Sequence, residues 1–256
     1  KLFISFKCSK KISFFIFVDG YLFSLKRWYI RLITPLSGLK LFKFIPKDLL
    51  IDANSSINTY IMNFLSIDFS TDNGSLFLKV QNKTFSKFLQ SDKLNNDLLM
   101  KQILDFFAKS NLELDDISSI FVNQGPGNFS GLRGSLAIAK GISISKKISL
   151  FGFNTFTWSC AKFFNSKSSI ISIIKFRDKY FIKHFNENLT SSSKPEQIEE
   201  NKLIEEYDSQ FKVIPRNLLT NFSKKILALN NINIIDLDHN DLEFLQLKGL
   251  LNEDLI

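Results

Sequence analysis

The chain has 256 residues, 45% of them hydrophobic, enough to bury a sizeable core in one large domain or two small ones. Two cysteines, Cys8 and Cys160, exclude a disulfide framework and form no C-x-x-C pair, so a reducing cytosol is the expected compartment. The net charge of +8 suggests a nucleic-acid binder until it is located: residues 1–61 hold 10 Lys/Arg against 3 Asp/Glu, and the remainder 23 against 22. A nearly neutral body argues against tight autonomous binding of tRNA or DNA through phosphates.

Residues 1–61 differ in character from the rest of the chain. Residues 12–25 are apolar and aromatic, but Asp19-Gly20 interrupts them and they fall short of the roughly 20 residues a spanning helix needs. No small-residue cleavage site comes after them, so a secretory leader is not expected either. Met62 stands directly before the first regular strand pattern, after the polar residues 52–59. The expectation is a native start at Met62, with residues 1–61 an extension of doubtful status. A membrane-surface or RNA-binding arm is the functional alternative for that segment.

From Met62 the pattern is regular. Residues 64–68 form a short apolar strand ending in a carboxylate, and Asp72-Asn73-Gly74 is a hairpin signal. Residues 75–80 and 84–89 alternate apolar and polar side chains as two more strands. Residues 95–110 carry apolar positions at 98, 99, 103, 106 and 107, the spacing of an amphipathic helix. Next come a strand at 117–122, a glycine-rich turn, a helix at 132–145 and a strand at 148–151. The order β-β-β-α-β-α-β implies a mixed sheet with helices packed on it. The second half is a weaker echo: strands at 169–174 and 179–185 around Arg177-Asp178, a polar loop at 190–195, and a charged helix over 196–207. A strand at 211–214, a helix at 218–229 and a last strand at 232–237 complete it. No repeat is visible between the halves, although two similar α/β lobes are compatible with the element order.

The run Gln124-Gly125-Pro126-Gly127-Asn128-Phe129-Ser130-Gly131-Leu132-Arg133 is the most informative stretch. A strand feeding a glycine turn feeding a helix aims backbone N–H groups and a positive helix end at one spot, which suits an anion or a very close neighbouring backbone. Five residues separate Gly125 from Gly131 and Leu132-Arg133 replaces Lys-Ser/Thr, so the turn is not a P-loop. Ser130 stands where a dinucleotide fingerprint needs glycine, and it would serve as N-cap. A helix-opening turn without ligand remains the alternative. Asp68, Ser70 and Thr71 at the end of the first strand could hold magnesium and phosphate oxygens, or could simply terminate the strand. In the helix after the turn, Gly134, Ala137 and Gly141 share one face. Glycine inside a helix costs about 1 kcal/mol relative to alanine, so a close neighbour is expected, either a partner or the chain's own sheet. His184 and His239 are isolated and read as surface or structural residues, and no metal-binding pair, catalytic triad or activated cysteine is found.

Phe64-Leu65-Ser66-Ile67-Asp68-Phe69-Ser70-Thr71, Gly125-Pro126-Gly127-Asn128-Phe129-Ser130-Gly131-Leu132-Arg133 and Ala137-Ile138-Ala139-Lys140-Gly141-Ile142 together resemble the TsaB (YeaZ) family. These are noncatalytic members of the bacterial machinery that makes threonylcarbamoyladenosine in tRNA. The match runs over residues 62 to about 160; Phe69 and Asn128 depart from the usual threonine and serine. The resemblance implies two ribonuclease-H-like lobes of the actin/Hsp70-like ATPase fold: residues 62–162, and a degenerate lobe at 163–256 that is diverged or short of a final element. It implies a cytoplasmic subunit that pairs with catalytic TsaD and is joined by TsaE, meeting tRNA only through that complex, with no membrane contact. Without TsaD a homodimer is an option. It implies no catalytic residues, no metal and no cofactor of its own, with Mg-ATP or ADP at the partner interface. Nucleotide or phosphate contacts would fall to Asp68, Ser70, Thr71, Gly125, Gly127 and Ser130. The docking surface would draw on Leu98, Leu99, Gln102, Phe106, Gly134, Ala137 and Gly141. The alternative is a self-contained magnesium-nucleotide ATPase or acyltransferase built on Asp68.

Overall fold

A computed structural model describes residues 15–18, 21–24, 62–71, 73–89, 96–191 and 193–252. The expectations for the rest of residues 1–61, for Asp72 and for residues 90–95 lie outside the described residues. The chain divides into two compact units, Lys1–Tyr60 and Ile61–Ile256. In the first, β1 (Phe15–Val18) and β2 (Tyr21–Ser24) pair as an antiparallel hairpin.

The second unit contains two five-stranded mixed sheets. The first runs β5-β4-β3-β6-β7, with β3 (Phe64–Asp68), β4 (Gly74–Val80), β5 (Lys83–Leu89), β6 (Ser119–Asn123) and β7 (Ser149–Phe153). The β3–β4–β5 meander is antiparallel, whereas β3, β6 and β7 are parallel and joined by helical crossovers. Those crossovers hold α1 (Asn96–Lys109) and α2 (Phe129–Lys146). The second sheet runs β10-β9-β8-β11-β12, with β8 (Ser169–Phe176), β9 (Lys179–Asn186), β10 (Glu196–Ile198), β11 (Lys212–Pro215) and β12 (Ile232–Ile235). Its strands follow the same antiparallel-then-parallel order as the first sheet.

The second lobe is therefore a reduced repeat of the first. Where the first lobe inserts the 14-residue α1, the second has the 8-residue α4 (Glu200–Tyr207). Where the first inserts the 18-residue α2, the second has a 3-10 turn (Arg216–Asn221) and the 4-residue α5 (Lys224–Leu227). This corrects two expectations. Residues 196–207 split into an edge strand and a helix because Gln197 and Ile198 pair with β9. Residues 218–229 do not form one helix, because the Ser223 side chain caps a new turn by accepting from Ile226 N–H. Two helices escape the periodicity argument altogether: α3 (Thr155–Cys160), buried on every side, and α6 (Asp241–Leu247), which lies beyond the last expected strand.

The first sheet is covered on both faces. Leu65 and Ile67 of β3 join Leu76 and Leu78 of β4 beneath Leu99, Ile103, Phe106 and Phe107 of α1, with Ala139 and Ile142 of α2. Phe64, Phe77, Phe121, Phe151 and Phe153 face the other way, into a core shared with Trp158, Ile171, Ile173, Val213 and Leu245. At about 2 kcal/mol for each fully buried side chain of this size, that shared core binds the lobes into one body.

Candidate functional site

The glycine turn meets the Asp68 turn backbone to backbone. Asn128 N–H donates to the Ser70 carbonyl at 2.7 Å. A Cβ on Gly127 would lie 2.0 Å from that same oxygen, and one on Gly131 would lie 2.5 Å from the Phe69 carbonyl. Both glycines are thus required by a close neighbouring backbone, one of the two explanations open at the sequence level. Gly125 has a positive φ of 103°, which favours glycine at that position as well.

Most N–H groups of the turn are already used. Gly125 N–H donates to Asn123 Oδ1 at 2.7 Å, and Ser130 and Gly131 N–H donate to Asn128 Oδ1 at 3.1 and 3.4 Å. The N-cap of α2 is Asn128 rather than Ser130, since the helix begins at Phe129, three residues earlier than its apolar periodicity indicates. Asp68 is buried, and its Oδ1 accepts from Ser70 N–H at 3.0 Å and from Asn123 Nδ2 at 2.9 Å. Asn123, which sequence reasoning missed, links Asp68, Gly125 and the Thr155 hydroxyl. A phosphate cradle would need those donors free, so the turn does not fit one as it stands.

Asp68, Ser70 and Thr71 nevertheless border a cleft of about 740 Å³ between the lobes. Asn73, Ser75, Phe88, Pro126, Asn128 and Thr155 complete the first-lobe wall, and Lys175, Phe176, Arg177 and Asn221 are among the residues opposite. Gly125, Gly127 and Ser130 do not line it.

His239, from the loop after β12, packs against side chains of the first sheet. Its Nδ1 shares a hydrogen bond with Ser66 Oγ at 2.8 Å and its Nε2 with Ser75 Oγ at 3.2 Å. Its ring stacks on Phe77 with centroids 5.2 Å apart and lies 4.9 Å from Trp158. Burial pushes its pKa down to about 4, against the opposing charges of Asp68 and Asp238. It is a structural histidine joining the lobes. Burial likewise pushes the Cys160 thiol up to about 12, with Ser159 and Ser172 only partly offsetting it, so it is no activated nucleophile.

The residues expected at a docking surface divide by face. Leu99 and Phe106 are buried under the first sheet and contribute to the chain's own core, because they fall on the inward side of α1. Gln102 and Gly134 are half-buried, while Leu98, Ala137 and Gly141 are exposed. The close contact of α2 with its own sheet uses a different stripe, Gly131, Ser135 and Ala139. A Cβ on Gly141 would meet nothing within 4 Å. Large apolar side chains frame this outer face: Phe129 is 67% exposed and Ile144 62%. Both escaped the sequence argument, although Phe129, Arg133, Ala137 and Gly141 recur every fourth residue.

One comparison with known proteins falls on this same segment. The family model described as "TsaD: tRNA N6-adenosine threonylcarbamoyltransferase" matches residues 91–171, which hold α1, the glycine turn and α2. The tRNA threonylcarbamoyladenosine biosynthesis protein TsaB of Buchnera aphidicola subsp. Schizaphis graminum is 30% identical over 91 residues, 36% of this chain and 43% of that protein. TsaB of Escherichia coli (strain K12) is 26% identical over 94 residues, 37% of this chain and 41% of its own length. The chain is a relative of the TsaB/YeaZ proteins. YeaZ from Pseudomonas aeruginosa superposes with a TM-score of 0.56 at 14% identity, over 75% of this chain and 95% of that one. That likeness shows the YeaZ fold, here two mixed α/β lobes with the second reduced. The matched sequence spans less than half the length of the curated TsaB relatives. Among the described residues no helix is long and apolar enough to cross a membrane, and no cluster of His, Cys, Asp and Glu could hold a metal ion.

Proposed function

We propose that this chain is a noncatalytic subunit of the apparatus that installs threonylcarbamoyladenosine beside the tRNA anticodon, lending a docking surface to the catalytic subunit TsaD. The observation that carries the reading is the outer face of α2, where Phe129 and Ile144 stand exposed around Ala137 and Gly141. An exposed apolar face of this kind is the mark of a protein contact, and it lies in the segment matched by the TsaD family model. TsaE joins the pair, tRNA meets the assembly rather than this chain alone, and the assembly works in the cytoplasm. ATP or ADP belongs to the complex. Gly141→Trp tests the docking, since its own fold leaves room for the side chain. Co-expressed with TsaD and TsaE, the variant is expected to lose co-purification and tRNA modification while keeping its melting temperature. Unchanged assembly would overturn the reading.

A second reading, a magnesium-nucleotide enzyme built on Asp68, draws support from the cleft beside that carboxylate. The engaged N–H groups of the glycine turn weigh against it. Nucleotide turnover by the isolated chain that vanishes in Asp68→Asn would favour it over the scaffold.

A further inference from the structure

The outer face of α1 and α2 is asymmetric in charge as well as apolar. Its large exposed side chains are Phe129, Ile144, Leu98 at 46% and Leu104 at 45%. Arg133 and Lys140 stand among them on α2, seven residues apart and therefore on one side of the helix. The helix contains no Asp or Glu. Its remaining cation near the C-terminus, Lys146, pairs with Asp115 at 2.9 Å. Among the described residues no carboxylate pairs with Arg133 or Lys140, and the Arg133 guanidinium lies 5.1 Å over the Phe129 ring. Across on α1, Lys101 and Lys109 are balanced in number by Asp97 and Asp105, so the excess positive charge belongs to α2.

A surface that covers Phe129 and Ile144 also covers Arg133 and Lys140, and so takes water from both cations. Burying an unpaired charge is costly, whereas a guanidinium met by a carboxylate forms strong paired hydrogen bonds. We propose that the occupant of this face is a protein surface, apolar at its centre, whose rim carries carboxylates that meet Arg133 and Lys140 and so select the partner. The inference rests on the docking reading above and adds the chemistry of the other side. A second copy of this chain is the poorer occupant, because it would bring a like-charged face against these cations. An RNA backbone would satisfy the cations but leave the apolar side chains against phosphates.

The test titrates the full chain, wild type and variants, against TsaD of the same organism at low and high salt. Arg133→Glu and Lys140→Glu are each expected to weaken binding tenfold or more at low salt, with circular dichroism and melting temperature unchanged. Wild-type affinity is expected to fall as salt rises. Gly141→Trp separates the two levels of inference. If it abolishes binding while both charge reversals bind like wild type, docking stands and the acidic rim is overturned. If Gly141→Trp also binds like wild type, the docking reading falls. A parallel titration with unmodified tRNA gives the remaining outcome: charge reversals that lose tRNA binding but keep TsaD binding would make the face an RNA site and overturn the proposal.

Discussion

At Gly127 the space left by a missing side chain is filled by the Ser70 carbonyl, so the two turns meet there backbone against backbone. Gly127→Ala is expected to cost about 3 kcal/mol or to prevent folding, the upper range for inserting an atom into a packed site, as read by denaturant titration. Gly141→Ala is the internal control. It meets no neighbour, and removing a helical glycine should add up to about 1 kcal/mol of stability. His239 gives a pH prediction. Its folded pKa of about 4 lies below its ordinary value of 6.5, so the unfolded chain binds the proton more readily between those limits. Stability from this group is complete above pH 6.5 and is lost as pH falls towards 4, by up to about 3 kcal/mol. Chemical denaturation of His239→Gln across that window should show a flatter pH dependence than wild type. An equal slope in the two proteins would count against the buried neutral imidazole.

At the scale of elements, helix ends decide where the chain turns. Asn128 caps α2 through Ser130 and Gly131 N–H, and Asn128→Ala should cost about 1 kcal/mol. The end of α4 has a different device. Lys212, fully buried at the start of β11, donates to the carbonyls of Tyr207, Asp208 and Gln210 at 2.6, 2.7 and 2.7 Å. An ammonium placed there satisfies the carbonyls a helix leaves unpaired. Burial lowers its pKa, with the nearby Asp208 charge opposing. Lys212→Met keeps the stem but removes three hydrogen bonds, and should destabilise by about 2–4 kcal/mol in thermal melts. Strand positions from Met62 onward were legible in the sequence to within a few residues, because alternation and turn residues are local signals. The division of residues 196–207 was not, since its strand exists only by pairing with β9.

At the scale of the molecule, the lobes should unfold together. Phe64, Phe77 and Phe121 of the first sheet lie in one cluster with Ile171, Val213 and Leu245 of the second lobe. Glu243 of α6 accepts from Met62 N–H at 3.1 Å and pairs with Lys79. Hydrogen exchange in β3 and β8 is therefore expected to proceed with one common opening free energy. Protection lost from β8 well before β3 would mean the seam is weaker than its packing indicates.

By itself the sequence determined the alternating elements, the glycine requirement at the turn and the resemblance to TsaB/YeaZ, because each is written in neighbouring residues. Only the tertiary structure decided what those glycines are for, showing a second backbone in van der Waals contact where a phosphate was equally compatible with the local pattern. It also revealed the repeated strand order of the two lobes, since a topology survives when side chains, and hence any visible repeat, have diverged. Which residues of α1 and α2 face outward depended on the sheet they cover. Leu98 and Leu99 are neighbours in the chain, and packing sends one to solvent and the other to the core.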